Sequence, residues 1–139
     1  MYYGDDGPKV VALTIDDGPD PVYAPQVLAL LARYRVTATF SATGRRPAMF
    51  RAPYGAWSPA VLDRCHQLKL APLDWSVDPR DWARPGVRSI VSTIMRTTRS
   101  GSIILEHDGG GDRSQTVAAL GIALPRLLEA GYRFRTPTP

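Results

Sequence analysis

At 139 residues, 44% of them hydrophobic, the chain has the length and composition of one ordinary globular domain, long enough to bury a core. A net charge of +4 permits attraction to an anionic cell-wall polymer, a membrane surface or nucleic acid but requires none. Apart from Arg45-Arg46 the arginines are scattered, with no basic run interleaved with aromatics, so no nucleic-acid partner is expected. The single cysteine, Cys65, excludes an intrachain disulfide. No stretch approaches the roughly 20 apolar residues of a membrane span. Met1 to Gly4 lacks the charged start and apolar core of a secretory signal, which leaves a cytoplasmic protein or a removed leader as alternatives.

Short apolar runs alternate with helical patterns, the signature of a parallel α/β architecture. Lys9–Ile15 (KVVALTI) reads as a buried strand. Pro21–Arg35 carries Val22, Val27, Leu28, Leu30 and Leu31 at helical spacing. Val36–Phe40 is a β-branched second strand and Met49–Ala52 a short third. Ser58-Pro59 is a capping hydroxyl followed by proline at the first helical position, and predicts a helix to about Leu68. Ala71–Val77 predicts a strand ending in acidic residues. Val87–Thr98 is amphipathic, with Gly101 as its stop. Ser102–Leu105 predicts a strand with His107 just beyond it. Ser114–Ala130 is a last helix with a bend expected at Pro125, and Tyr132–Arg135 closes the sheet.

The chemically able residues gather at one set of strand ends. Asp16-Asp17-Gly18-Pro19 closes the first strand, Arg51 and Tyr54 follow the third, Asp78, Asp81 and Trp82 follow the fourth, and His107 follows SIIL. Active sites of parallel α/β folds lie at the carboxyl ends of the strands. Taken alone, Asp-Asp-Gly-Pro is a turn signal. Together the four segments describe a rim with paired carboxylates, the usual setting of a divalent metal.

The segments TIDDGP at 14–19, RAPYG at 51–55, DPRDW at 78–82 and LEHD at 105–108 resemble, in this order, the polysaccharide deacetylase family, or NodB homology domain, carbohydrate esterase family 4. The resemblance covers nearly the whole chain. It implies a distorted (β/α) barrel forming one catalytic domain over residues 1–139. It implies a metal-dependent hydrolase removing acetyl groups from N- or O-acetylated carbohydrate such as chitin, peptidoglycan or xylan. By resemblance, Asp16 is the general base, Asp17 a metal ligand, and Arg51 the partner that orients Asp16. The backbone at Tyr54, beside Pro53, helps hold the oxyanion. His107 is the general acid, tuned by Asp81 or alternatively by Asp78. Trp82 and Leu105 line the acetyl pocket. The cofactor implied is zinc, with cobalt or manganese as alternatives. The family also implies secretion or cell-wall association.

One family segment has no counterpart. The His-x-x-x-His stretch that supplies two metal ligands is absent, and the chain passes from VTATF through Ser41–Pro47 directly to Met49-Phe50-Arg51. Thr43–Pro47 resembles the tail of the missing region, which places the gap near 41–43. Parallel neighbours need a crossover of at least about 10–12 residues, so the second and third strands are not expected to pair. A segment absent from this sequence, a natural deletion and an engineered chain all fit. The only other histidine, His66, belongs to the Ser58–Leu68 helix, where a surface role is the plain expectation. Cys65 is expected to be inert, and Trp57 and Trp75 to serve the core. A metal-poor pseudoenzyme or glycan-binding module is therefore the alternative function, and a basic module on anionic wall polymer a third. The oligomeric state stays open.

Overall fold

The computed structural model describes residues 9–41 and 47–138. Arg45-Arg46 and most of the Thr43–Pro47 tail lie outside the described residues. The central strand, β1 (Val10–Asp16), is buried from Val10 through Ile15. Such a run suits a parallel strand covered on both faces. It pairs in parallel with β2 (Thr39–Phe40) on one side and β5 (Ile103–His107) on the other, while its first two residues pair with β6 (Arg133–Phe134). A separate two-stranded sheet joins β3 (Met49–Phe50) to β4 (Ala71–Pro72). So the second and third strands do not pair, as the short connection requires.

Side-chain alternation divides β1 and β5 between two packing environments. Leu13, Ile15 and Ile104 join the main core with Val27 and Leu31 of α1 (Tyr23–Tyr34), Ile90 and Ile94 of α3 (Val87–Thr97), and Leu120, Leu124 and Leu127 of α4 (Ser114–Glu129). Ala12 and Ile103 point to the opposite side, where they pack with Leu73, Met49 and Trp75 of the small sheet. Thr14, Asp16, Leu105 and His107 continue that second face upward to the rim. The remaining helix, α2 (Pro59–Leu68), starts as expected: the Ser58 hydroxyl accepts from the Val61 N–H at 3.3 Å and Pro59 opens the first turn.

Several expected boundaries are corrected. The second strand is two residues, not Val36–Phe40, because residues 36–38 find no sheet neighbour; the Val36 N–H is taken by the Leu31 carbonyl instead. The Ala71–Val77 strand stops at Pro72, and only Val77 rejoins the main sheet through a bridge to Ile104. Asp74 breaks the run by accepting from the Trp75 N–H and the Trp57 indole. Helix α3 ends at Thr98 in extended backbone rather than at Gly101. His107 is the last residue of β5, not a loop residue beyond it. Helix α4 runs on through Pro125.

Two glycines allow the loops after β1 and β5 to lie backbone against backbone. A Cβ on Gly109 would stand 2.0 Å from the Asp17 carbonyl oxygen, and one on Gly18 would stand 1.9 Å from the Asp108 carboxylate. A Cβ on Gly121, inside α4, would meet only Leu30 at 3.7 Å. Gly109→Ala is expected to cost about 1–3 kcal/mol by overpacking. Gly121→Ala is expected to gain about 0.5–1 kcal/mol from helix propensity. Urea unfolding midpoints of the two variants check the contrast.

Candidate active site

The Asp16 end of the site is built from three elements. Asp16, at the end of β1, is gripped by Arg51, whose Nη1 donates to both carboxylate oxygens at 2.9 and 3.0 Å. Arg51 follows β3, and its other nitrogen donates to the Thr14 hydroxyl at 3.0 Å. Thr14 in turn donates to the Ile104 carbonyl at 3.1 Å. The guanidinium lies over the Trp75 ring, 5.6 Å from its centroid. Arg51 is thus fixed on several sides, and Asp16 keeps partial access to solvent.

The His107 end is more deeply buried. His107 Nδ1 lies 2.7 Å from Asp81 Oδ1, and the His107 backbone N–H donates to Asp81 Oδ2 at 2.9 Å. The Thr116 hydroxyl of α4 donates to the same Oδ2 at 2.7 Å. Asp81 opens a 3-10 turn, Asp81–Ala83, and is 1% exposed. Of the two aspartates offered as partners of His107, the structure selects Asp81. Asp78 accepts from the Arg80 N–H at 2.8 Å and plays the part of a turn residue. With Nδ1 engaged, Nε2 is the imidazole atom free to meet a reacting group.

Asp16 and His107 are directly paired across the β1–β5 ladder. Asp17, next along, is exposed and holds φ +68. Tyr54 sits in the Pro53–Gly55 3-10 turn at φ +58 with its ring fully exposed. Pro53 has no N–H and the Gly55 N–H is taken by the Ala52 carbonyl, so the Tyr54 N–H is the donor this turn leaves without a backbone partner. Trp82 is half-exposed, with the Arg80 guanidinium 5.0 Å from its ring centroid. Leu105 is buried two pairs below His107, on the same face of the ladder. His66 lies exposed on α2 and Cys65 is buried, as expected. Trp57 and Trp75 are partly buried, Trp75 against the small core.

Sequence reasoning missed Thr14, Thr116 and Glu106. A carboxyl inside the apolar run SIIL-E-H was the available signal for Glu106. Thr116, on a helix ten residues downstream of it, gave none.

The chain matches the family model described as polysaccharide deacetylase over residues 3–45. It is 37% identical to a peptidoglycan-N-acetylglucosamine deacetylase of Bacillus cereus over 183 aligned positions, covering 92% of this chain and 86% of that protein. It is 35% identical to a chitooligosaccharide deacetylase of Sinorhizobium fredii, covering 94% and 91%. Among solved structures, a peptidoglycan N-acetylglucosamine deacetylase aligns with TM-score 0.87 at 24% identity over 97% of this chain and 89% of the other. A family 4 acetyl xylan esterase of Clostridium thermocellum in complex with a cobalt ion aligns with TM-score 0.80 at 25% identity, over 92% and 88%. A CE4 family pseudoenzyme of Bacillus anthracis shares the fold, with TM-score 0.81 at 22% identity over 96% and 66%. The chain belongs to the polysaccharide deacetylase family, and its α/β fold is that of the NodB type. The 183 positions of the Bacillus cereus alignment exceed the 139 residues here, so at least 44 positions of the relative face no residue of this chain. That agrees with an absent internal segment.

Divalent metal accompanies this fold in at least the cobalt-bound esterase. The described residues of this chain do not fit such an ion: no group of three or more His, Cys, Asp or Glu side chains converges among them. Asp16 is committed to Arg51, and His66 is exposed on α2. Asp17 remains as a single donor, against the three or four protein ligands usual for zinc.

Electrostatics separate the acid groups. Burial pulls the His107 imidazole down, but the hydrogen bond and charge of Asp81, then the charges of Asp17 and Asp16, leave its pKa above the ordinary value. Burial pushes Asp81 up, but hydrogen bonds from His107 and Glu106, the His107 charge and Thr116 leave it below the ordinary carboxylate range. Glu106 is completely buried, and burial first, then the neighbouring Asp81, hold its pKa well above normal. A raised His107 stabilises the fold below its unfolded pKa and stops doing so as pH rises through its folded value. A raised Glu106 acts in the same direction, because ionisation favours the unfolded chain. A lowered Asp81 stabilises above its unfolded pKa, and that contribution fades as pH falls through its folded value. The contribution of these three groups is therefore expected to be greatest near about pH 4–4.5, to fall above that as Glu106 ionises more readily in the unfolded chain, and to fall further above about pH 6.5 as the His107 contribution is lost. Thermal unfolding across that range checks it. Asp81→Asn should lower the His107 pKa, since desolvation, the largest influence on it, is then opposed only by the charges of Asp17 and Asp16. The imidazole resonance reports this, with exposed His66 as internal reference.

Proposed function

We propose that residues 1–139 form one catalytic domain that hydrolyses the acetyl amide of an N-acetylated carbohydrate, with peptidoglycan or chitooligosaccharide as the substrate class. The observation that carries this reading is the pairing of Asp16 with His107 across adjacent strands, each gripped by its own partner. Amide hydrolysis needs a base for the attacking water and an acid for the departing nitrogen. Asp16, oriented by Arg51, accepts the proton of the water. The His107 imidazolium, kept charged by Asp81, protonates the amine as it leaves. The Tyr54 backbone N–H meets the oxyanion. Trp82 gives an apolar wall for the acetyl methyl, above the floor that Leu105 contributes. Asp17 is the donor this chain offers to a divalent metal, zinc first, with cobalt or manganese as alternatives. An acetylated wall polymer as substrate goes with secretion or cell-wall association, and no helix among the described residues is long and apolar enough to cross a membrane.

A second reading, glycan binding without turnover, is favoured by one observation: no metal-ligand cluster forms among the described residues. The two part in one experiment. Acetate release from chitooligosaccharide is measured for the natural chain and for Asp16→Asn, alongside calorimetric glycan binding and zinc content. Catalysis predicts release that falls at least about 100-fold in the variant, with thermal unfolding unchanged. Binding alone predicts no release from either, glycan affinity in both, and no bound zinc. Zinc at one ion per chain would end the second reading, and release that survives in Asp16→Asn would remove Asp16 as the base.

A further inference from the structure

Glu106 is a fully buried carboxyl next to His107 that the proposed reaction does not use; Asp108, on the other side of His107, is equally buried, but its carboxylate lies against Gly18. It lies between Leu105 and His107 in β5, pairs with Ile15 in the ladder, and is 0% exposed. Alternation turns its side chain toward the helix layer, opposite to His107. Asp81 approaches it from the 3-10 turn, Asp78 from the segment before that turn, and Thr116 reaches the same Asp81 carboxylate from α4. No donor reaches either Glu106 oxygen, and no Lys or Arg pairs with it among the described residues. An ionised carboxylate in such a place, against one ionised neighbour, would carry the full cost of an unpaired buried charge. A protonated one has a single O–H to place, and Asp81 is the acceptor beside it.

We propose that Glu106 is a positioning residue, a neutral carboxylic acid that donates a hydrogen bond to Asp81 and so fixes the carboxylate that holds His107. Asp81 then receives four donors: the His107 imidazole, the His107 backbone N–H, the Thr116 hydroxyl and Glu106. A hydrogen-bonded carboxylate is a weaker base. Glu106 thereby limits how tightly Asp81 retains the imidazole proton and keeps His107 able to release it.

This inference rests on the reading of His107 as the acid, but its test needs no turnover. The His107 pKa is measured by NMR titration of the imidazole in the natural chain, Glu106→Gln and Glu106→Leu, with His66 as the reference in the same spectra. Gln keeps a neutral donor, so its His107 pKa should match the natural chain within about 0.3 of a pH unit. Leu removes the donor without removing a charge, so the His107 pKa should rise by about half a pH unit. A fall in both variants would mean that Glu106 carries charge. An unshifted Leu variant would mean that it bonds nothing that matters to His107. Either result overturns the proposal and leaves the deacetylase reading to the acetate assay. Unchanged amide dispersion confirms that each variant is folded, and Glu106→Met replaces Leu if it is not.

Discussion

The parallel ladder between β1 and β5 runs out at Asp16 and His107, and the chemistry of the rim depends on that register. Neighbouring strands lie about 4.8 Å apart, so the ladder alone brings a carboxylate and an imidazole to the same end of the sheet. Alternation then decides which residues can take part. Thr14, Asp16, Leu105 and His107 share one face, while Leu13, Ile15, Ile104 and Glu106 share the other. A slip of one residue would exchange the two sets and bury Asp16 under the helices. Leu13, Ile15 and Ile104 hold the register because their side chains have nowhere else to go. The hydrophobic core and the reactive rim are thus specified by the same strands.

The supports of the two reactive groups come from outside that ladder. Arg51 and Trp75 belong to the neighbourhood of the small β3–β4 sheet, Asp81 to a 3-10 turn, and Thr116 to α4. The small sheet reaches the main one through the bridge from Val77 to Ile104 and the hydrogen bonds around Ser76 and Ile103. Asp17 has no comparable support. It follows Asp16 in left-handed backbone, exposed, and no described His, Cys or further carboxylate completes a ligand set around it. Asp16 and His107 each have a fixed partner, whereas among the described residues Asp17 has no ligand set around it.

Much of this was legible in the sequence. KVVALTI and SIIL were readable as buried strands because every position but Lys9, an exposed turn residue before β1, is buried. The helix starting at Ser58-Pro59 was readable because its cap is local. The four motifs fell at one rim because parallel strands carry their functional loops at one end. What was not legible depended on partners distant in the chain. VTATF has strong strand character, yet residues 36–38 meet no neighbour, since β propensity describes a side chain and not a pairing. Asp78 and Asp81 are equivalent as text, and only the turn that buries Asp81 against β5 and Thr116 separates them. The shortness of β4 follows from Pro72 and from Asp74 bonding the adjacent N–H, a local competition that the apolar pattern conceals.

The two ends of the site differ in how far water reaches them. The Asp81 carboxylate is closed off by protein, whereas Asp16 and its arginine retain some contact with solvent. Dissolved ions reduce interactions between exposed charges over about 8–10 Å at ordinary ionic strength and act much less on buried ones. The grip of Arg51 on Asp16 is therefore open to modulation by the medium, while the hold of Asp81 on His107 is insulated from it. Close to a densely charged polymer, with its own cloud of counterions, the two halves of one reaction centre would respond differently to the same surroundings.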